Sequence, residues 1–241
     1  RFDIMVDTDN NCIDSYAWNL IPIDEDHCPR DIELEKVIQK YKDQTDSKYC
    51  RVVTRFADRY THPARNQETL LGKLLADAFK DVLGVDIMFL GSGSIRDEEL
   101  GPIVQYRDLL QVFPYNDEIY RICVTGEQLR RMVKRILRNE GDHAEYYQFS
   151  RGFRIEFNQK EQELISLSFN GYEIRDNDQY KLGLQSFHLK NIQDFLDVSL
   201  EEVTAIKRPK IISTKSTDVL EEYFSQYELI RVSNEQRLIL R

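Results

Sequence analysis

A chain of 241 residues, 41% hydrophobic and 31% charged, has the balance of a globular protein and can bury one large core or two smaller ones. Its net charge of −9 at pH 7 argues against a sequence-independent nucleic-acid surface, which needs clustered Lys and Arg against the phosphate backbone, but leaves room for a small phosphorylated ligand held by local arginines. No apolar run approaches the ~20 residues that span a bilayer, and the opening RFDIMVDTDNN has neither a basic flank nor an apolar signal core, so no membrane partner is expected.

The first residue is arginine instead of methionine, which suggests a piece of a longer chain. FDIMVDTDNNCIDSYAWNLIPI alternates on either side of Asp9-Asn10-Asn11, the pattern of two strands joined by a tight turn. After Pro29, DIELEKVIQKYKDQ places Leu34, Val37, Ile38 and Tyr41 at helical spacing. A hairpin and one helix make no self-sufficient core, and DQTDSK (residues 43–48) marks the domain boundary.

YCRVVTRF reads as a strand and THPARNQ as a loop broken by Pro63. ETLLGKLLADAFKDVLG carries an apolar stripe through Leu70, Leu71, Leu74, Leu75, Ala78, Phe79 and Val82 and stops at Gly84, which predicts a buried helix. VDIMFL then reads as a strand inside a sheet. In TGEQLRRMVKRILRNEG, Thr125 and Gln128 form a capping box, Leu129, Met132, Val133, Ile136 and Leu137 a buried face, and Gly141 a stop. FRIEF, LISLSF and YEIRD read as strands with a hairpin signal at Asn170-Gly171; YKLGLQ, PKIIS and QRLIL add more, and Val219, Leu220, Tyr223, Phe224 and Tyr227 mark one more amphipathic helix. Helices alternate with strands, yet hairpins are present, so the class is α/β with mixed β-sheets.

The four cysteines, Cys12, Cys28, Cys50 and Cys123, are scattered, with no CxxC pair and no histidine at zinc spacing. They read as free, mostly buried thiols of a reducing compartment, which favours a cytoplasmic location. His27 and Cys28 are neighbours and would point to opposite faces of an extended segment, which argues against a metal there.

The small-residue turn GSGSIR (residues 91–96) invites comparison with a dinucleotide cradle. It fails, because Arg96 stands where the third glycine belongs and DEELGP is too short for the crossover helix. A nucleophile elbow is absent too. What remains is a turn at which amides can approach an anion, with Arg96 offering a bidentate fork. The alternative is that Arg96 pairs with Asp97, Glu98 or Glu99 on a surface loop. Downstream, Pro114 fixes the backbone before Tyr115, with Asn116 and Asp117 supplying hydrogen-bonding groups. Tyr115 either presents its face to a nucleobase or packs over the turn.

The series R-x-x-E-T-x-x-G-x-x-x-A-D-A (residues 65–78), GSGSIR, FPYNDEI, VTGEQL, FSRGFRIEF and YKLGLQSFH resembles the C-terminal domain of the 5'-nucleotidase and UDP-sugar hydrolase family. The resemblance covers about residues 49 to 241 and implies that domain's fold, helices layered over mixed β-sheets. It further implies that residues 1–30 are the closing strands of an N-terminal metallophosphatase domain and residues 31–48 a linking helix. That upstream domain would hold two divalent metal ions and be this domain's partner; its metal motifs D-x-H, G-N-H-[DE] and G-H-x-H are absent from these 241 residues, so the chain by itself should bind no cofactor and hydrolyse nothing.

By the same resemblance the substrate-binding residues are Arg96, Tyr115 and Phe187, the last two stacking on opposite faces of a base, with Ser92, Gly93 and Ser94 filling the turn. Gly152 would bring backbone close to the base; Asp117 and Arg65 complete the set. Three departures stand out: Gly91 where the family's turn begins with asparagine, Gln67 where it has an arginine, and Gln193 where it has an aspartate. The implied function is the nucleotide-binding half of a metallophosphohydrolase acting on nucleoside phosphates. The alternatives are a stand-alone nucleotide-binding or sensing module and a purely structural domain.

Overall fold

The computed structural model describes residues 1–138 and 145–241, and the chain divides into two compact units, Arg1–Ser47 and Lys48–Arg241. The first unit holds the antiparallel hairpin β1 (Phe2–Asp7) and β2 (Cys12–Trp18) and most of α1 (Ile32–Tyr49), whose last two residues belong to the second. No residue of α1 is buried, and Phe2, Ile4, Met5 and Trp18 of the hairpin are all exposed. The helix starts where Asp31 accepts the amides of Glu33 and Leu34 and runs past the predicted stretch to Tyr49. No helix among the described residues is long and apolar enough to cross a membrane. Against the expectation of mostly buried thiols, none of the four cysteines is buried, and Cys12 and Cys28 are exposed.

In the second unit β3 (Val52–Phe56), β4 (Tyr60–Thr61), α2 (Leu70–Leu83) and β5 (Ile87–Gly91) come first, and β5 runs into a single 3-10 turn, Ser92–Ser94. Next are β6 (Glu99–Leu100), β7 (Ile103–Gln105), α3 (Tyr106–Val112), β8 (Ile119–Thr125) and α4 (Gly126–Arg138). The strands β9 (Tyr147–Phe149), β10 (Phe153–Asn158), β11 (Glu163–Phe169), β12 (Tyr172–Glu173) and β13 (Gln179–Gln185) follow. The chain closes with α5 (Ser186–Lys190), α6 (Ile192–Leu196), α7 (Leu200–Ile206), β14 (Lys210–Ser213), α8 (Ser216–Ser225), β15 (Leu229–Ile230) and β16 (Leu238–Leu240).

The central sheet has the order β14-β8-β13-β5-β9 and mixes parallel with antiparallel pairs. β5 is interior and buried at all five residues, as its unbroken apolar run predicts. Its side chains feed two cores in alternation: Met88 and Leu90 pack with α2, α3 and α8, while Ile87 and Phe89 pack with α4 and with Phe153, Ile155 and Leu167 of the second sheet. That alternation holds β5 between two apolar layers and fixes the height at which its C-terminal turn emerges.

Local chemistry sets the helices that matter for the site. Thr69 caps α2 by accepting the Gly72 amide at 3.0 Å, and Gly84 ends it in the left-handed conformation that glycine tolerates. Thr125 and Gln128 make the reciprocal bonds of the expected capping box on α4, at 3.2 and 2.9 Å. The stop expected at Gly141 lies outside the described residues. Four helices between Tyr106 and Ile206 went unread in the sequence, α3 and α5 to α7; each is seven residues or shorter and carries less than two turns of periodicity.

Candidate functional site

The turn after β5 is built on a buried polar network. The Gln148 side chain accepts the Thr69 amide at 3.1 Å and donates to the Gln67 carbonyl at 2.8 Å and the Ser92 hydroxyl at 3.0 Å. Gly72 is required beside it, since a Cβ there would stand 2.4 Å from the Gln148 side chain. His62 bonds the Thr69 hydroxyl at 2.8 Å through Nδ1 and the Ser92 carbonyl at 3.2 Å through Nε2, and burial lowers its pKa. From the other side, Gln185 at the end of β13 bonds the Ser94 hydroxyl and accepts the Gly91 amide at 3.3 Å. Ser92 and Ser94 are therefore tied down on both flanks, and Arg96 leaves the turn with its amide on the Val112 carbonyl at 2.8 Å.

A cavity of about 370 Å³ opens beside this turn, lined by Arg65, Gly93, Ser94, Arg96, Tyr115, Asp117, Glu145, Phe187 and His188. These residues come from five separate stretches of sequence. Arg96 has no carboxylate within ion-pair distance among the described residues: Asp97 accepts from Gln111, and Glu99 pairs with Arg59. Its guanidinium carbon lies 5.8 Å from the centroid of the Tyr115 ring. The Tyr115 loop is held by α8, whose Ser216 hydroxyl donates to the Tyr115 carbonyl at 2.8 Å, while Asn116 accepts from Thr217 at 2.9 Å. The ring itself stays 42% exposed. Phe187, in the first turn of α5, is 53% exposed and leans on Phe195 at 5.7 Å.

Two of the residues singled out in the sequence are not on the cavity wall. Ser92 is fully buried beneath it as part of the His62–Gln148 network. Gly152 sits at φ +84° in the turn between β9 and β10, against Asn170, and does not line the cavity. Its positive φ is one that glycine adopts without strain. Gln193 lines a different, basic depression with Arg131, Arg135 and Asp194.

Two lining residues went unread, Glu145 and His188. Glu145 accepts the Gly93 amide at 3.0 Å, and burial raises its carboxyl pKa against the opposing pull of that amide and of Arg65. His188 is 2% exposed, and desolvation lowers its imidazole to about 4. His188 follows Phe187, which had a reading of its own, but a glutamate and a histidine without spacing or periodicity carry none.

Residues 45–198 match the family described as 5'-nucleotidase, C-terminal domain. The chain belongs to that family. It is 23% identical over 172 residues to a 5'-nucleotidase of Vibrio parahaemolyticus serotype O3:K6, a match covering 70% of this chain and 29% of that protein. Protein UshA of Escherichia coli K12 is also 23% identical, over 50% of this chain and 22% of its own length. Among solved structures, a 5'-nucleotidase precursor from Thermus thermophilus superposes with a TM-score of 0.70 at 12% identity, covering 99% of this chain and 49% of that one. The Haemophilus influenzae NAD nucleotidase gives 0.67 at 14% identity, over 88% of this chain and 41% of its own. The chain thus spans less than a third of these curated relatives, and the structural likenesses establish the shared α/β fold of the family's C-terminal domain.

Among the described residues no group of three or more His, Cys, Asp or Glu side chains is placed to hold a metal ion.

Proposed function

We propose that this chain is the nucleotide-binding part of a longer 5'-nucleotidase-type hydrolase of nucleoside phosphates. The observation that carries the reading is the meeting on one cavity of two exposed aromatic rings, Tyr115 and Phe187, and two arginines, Arg65 and Arg96, that have no carboxylate partner among the described residues. Aromatic faces accept a planar base whatever its identity, and the guanidinium groups supply charge for an anionic ligand. Ser94, Gly93 and Asp117 line the same cavity.

The partner in this proposal is the chain's own N-terminal metallophosphatase domain, where two divalent metal ions and the hydrolytic step belong. The exposed apolar side chains of the β1–β2 hairpin support it, because two strands with no buried residue need another layer to cover them. The share of the relatives that the chain covers is consistent with a missing half.

Calorimetric titration with nucleosides and nucleotides tests the binding role. The chain should bind them without added metal and release no phosphate; a longer chain including the upstream residues should bind and hydrolyse. Absence of binding by both chains overturns the reading.

A further inference from the structure

The stacking rings and the arginines leave one wall of the cavity unexplained. Glu145 Oε1 takes the Gly93 amide at 3.0 Å, and its nearest charged-type neighbour is His188 Nε2 at 4.0 Å, beyond hydrogen-bond reach. Among the described residues no Lys or Arg lies within ion-pair distance of this carboxylate, and Oε2 accepts nothing. A carboxylate offers about four acceptor positions, so most of those on Glu145 remain unmet in a site where its side chain is only 25% exposed. Those positions open onto the cavity, where a ligand's donors can reach them.

His188 adds the second observation. Its ring is held in the space that a side chain at position 91 would take, lies on the cavity wall, and its buried Nδ1 has no hydrogen-bond partner among the described residues. A carboxylate beside a neutral imidazole repels phosphate and suits uncharged donors. The pair faces the same 370 Å³ space as the aromatic rings, so a single ligand can meet both.

We propose that Glu145, set by the Gly93 amide and walled by His188, is the specificity-determining acceptor of this cavity and selects ligands that present two adjacent neutral hydrogen-bond donors. This rests on the nucleotide-binding reading above. Two groups carry that chemistry in a nucleoside: the 2′,3′-diol of the ribose and the N1–H with 2-amino edge of guanine.

The test titrates the parent chain, Glu145→Gln and Glu145→Ala with guanosine, inosine and 2′,3′-dideoxyguanosine. Loss of a charged acceptor should weaken guanosine about tenfold or more in Glu145→Ala, with Glu145→Gln between it and the parent. If the diol is read, 2′,3′-dideoxyguanosine binds the parent and Glu145→Ala alike. If the base edge is read, inosine, which keeps N1–H but lacks the 2-amino group, loses less than guanosine does, and 2′,3′-dideoxyguanosine loses as much as guanosine. An equal loss for all three ligands, or no loss for any, overturns the proposal while leaving nucleotide binding standing. A parent that binds none of them removes the reading beneath it and the Glu145 assignment together.

Discussion

The imidazole of His188 fills the space beside Gly91: a Cβ on residue 91 would stand 2.1 Å from the ring's Cε1 and 2.4 Å from its Nε2. The ring has nowhere easy to go, since Tyr147, Phe187 and Phe195 pack around it at centroid distances of 5.0, 5.4 and 6.0 Å. Gly91→Ala should therefore destabilise the domain by ~1–3 kcal/mol, as overpacking of a dense interior does. In a His188→Ala background the added methyl has room, and its penalty should largely vanish. Urea unfolding of both single variants and the double one measures the coupling; additive losses would show that the two positions do not compete for space.

The same burial makes His188 a source of acid sensitivity. Its imidazole is lowered from 6.5 to about 4, so between those values the unfolded chain binds a proton that the folded one does not. Stability from this group is fully present above about pH 6.5 and declines as pH falls toward 4, by up to ~3 kcal/mol at 1.36 kcal/mol per pKa unit. The groups that face it are Glu145, at 4.0 Å, and the neutral phenol of Tyr147, with Arg65, Arg96 and Asp117 lining the same cavity. His62 is also lowered by burial and adds a loss of the same sign. His188→Gln should flatten, without abolishing, the fall in unfolding free energy from pH 7 to pH 4.5; an unchanged slope would place the proton elsewhere.

The departure at Gly91 was legible in the sequence, but its reason was not, because the side chain that occupies the space comes from a residue 97 positions later in the chain. Positions whose type reports a local requirement were readable: the capping box of α4, the stripe of α2 ending at Gly84, the unbroken apolar run of β5. The Arg65 to Ala78 motif was recognised only by resemblance, yet several of its parts now have a physical role. Thr69 caps α2, Gly72 makes room for Gln148, and Asp77 binds the buried Arg237. Glu145 and His188 stayed hidden because a ligand-facing wall is assembled by topology, and neither the helical period nor the strand period marks its members.

The aromatic pair gives a test that separates binding from folding. Tyr115 and Phe187 are 42% and 53% exposed, so truncation removes little buried surface. Tyr115→Ala and Phe187→Ala should each weaken nucleoside binding by ~1–3 kcal/mol, the worth of one stacked base face, with small changes in melting temperature. Titration calorimetry and thermal unfolding on the same samples check both halves. Unaltered affinity in both variants would return the rings to a packing role.

Arg237, just before β16, is 2% exposed and carries its charge into the interior, where it meets Asp77 of α2 at 2.6 Å and donates to the Phe149 carbonyl at 2.6 Å. Asp77 also accepts the Arg151 amide at 2.7 Å, so one carboxylate joins α2, the end of β9 and the C-terminal strand. Removing only one partner strands a buried charge: Asp77→Asn and Arg237→Met should each cost ~3–5 kcal/mol. The double variant should lose less than the sum, because the ion-pair share is counted in each single change. It should not return to parental stability, since the Phe149 and Lys73 carbonyls lose the Arg237 donors as well. β9 also carries Gln148, the support of the Ser92 turn, so Asp77→Asn should weaken nucleoside binding although Asp77 does not line the cavity. Guanidinium unfolding together with titration of the same variants reads both effects, and a destabilised variant of unaltered affinity would show that the clip and the site are energetically separate.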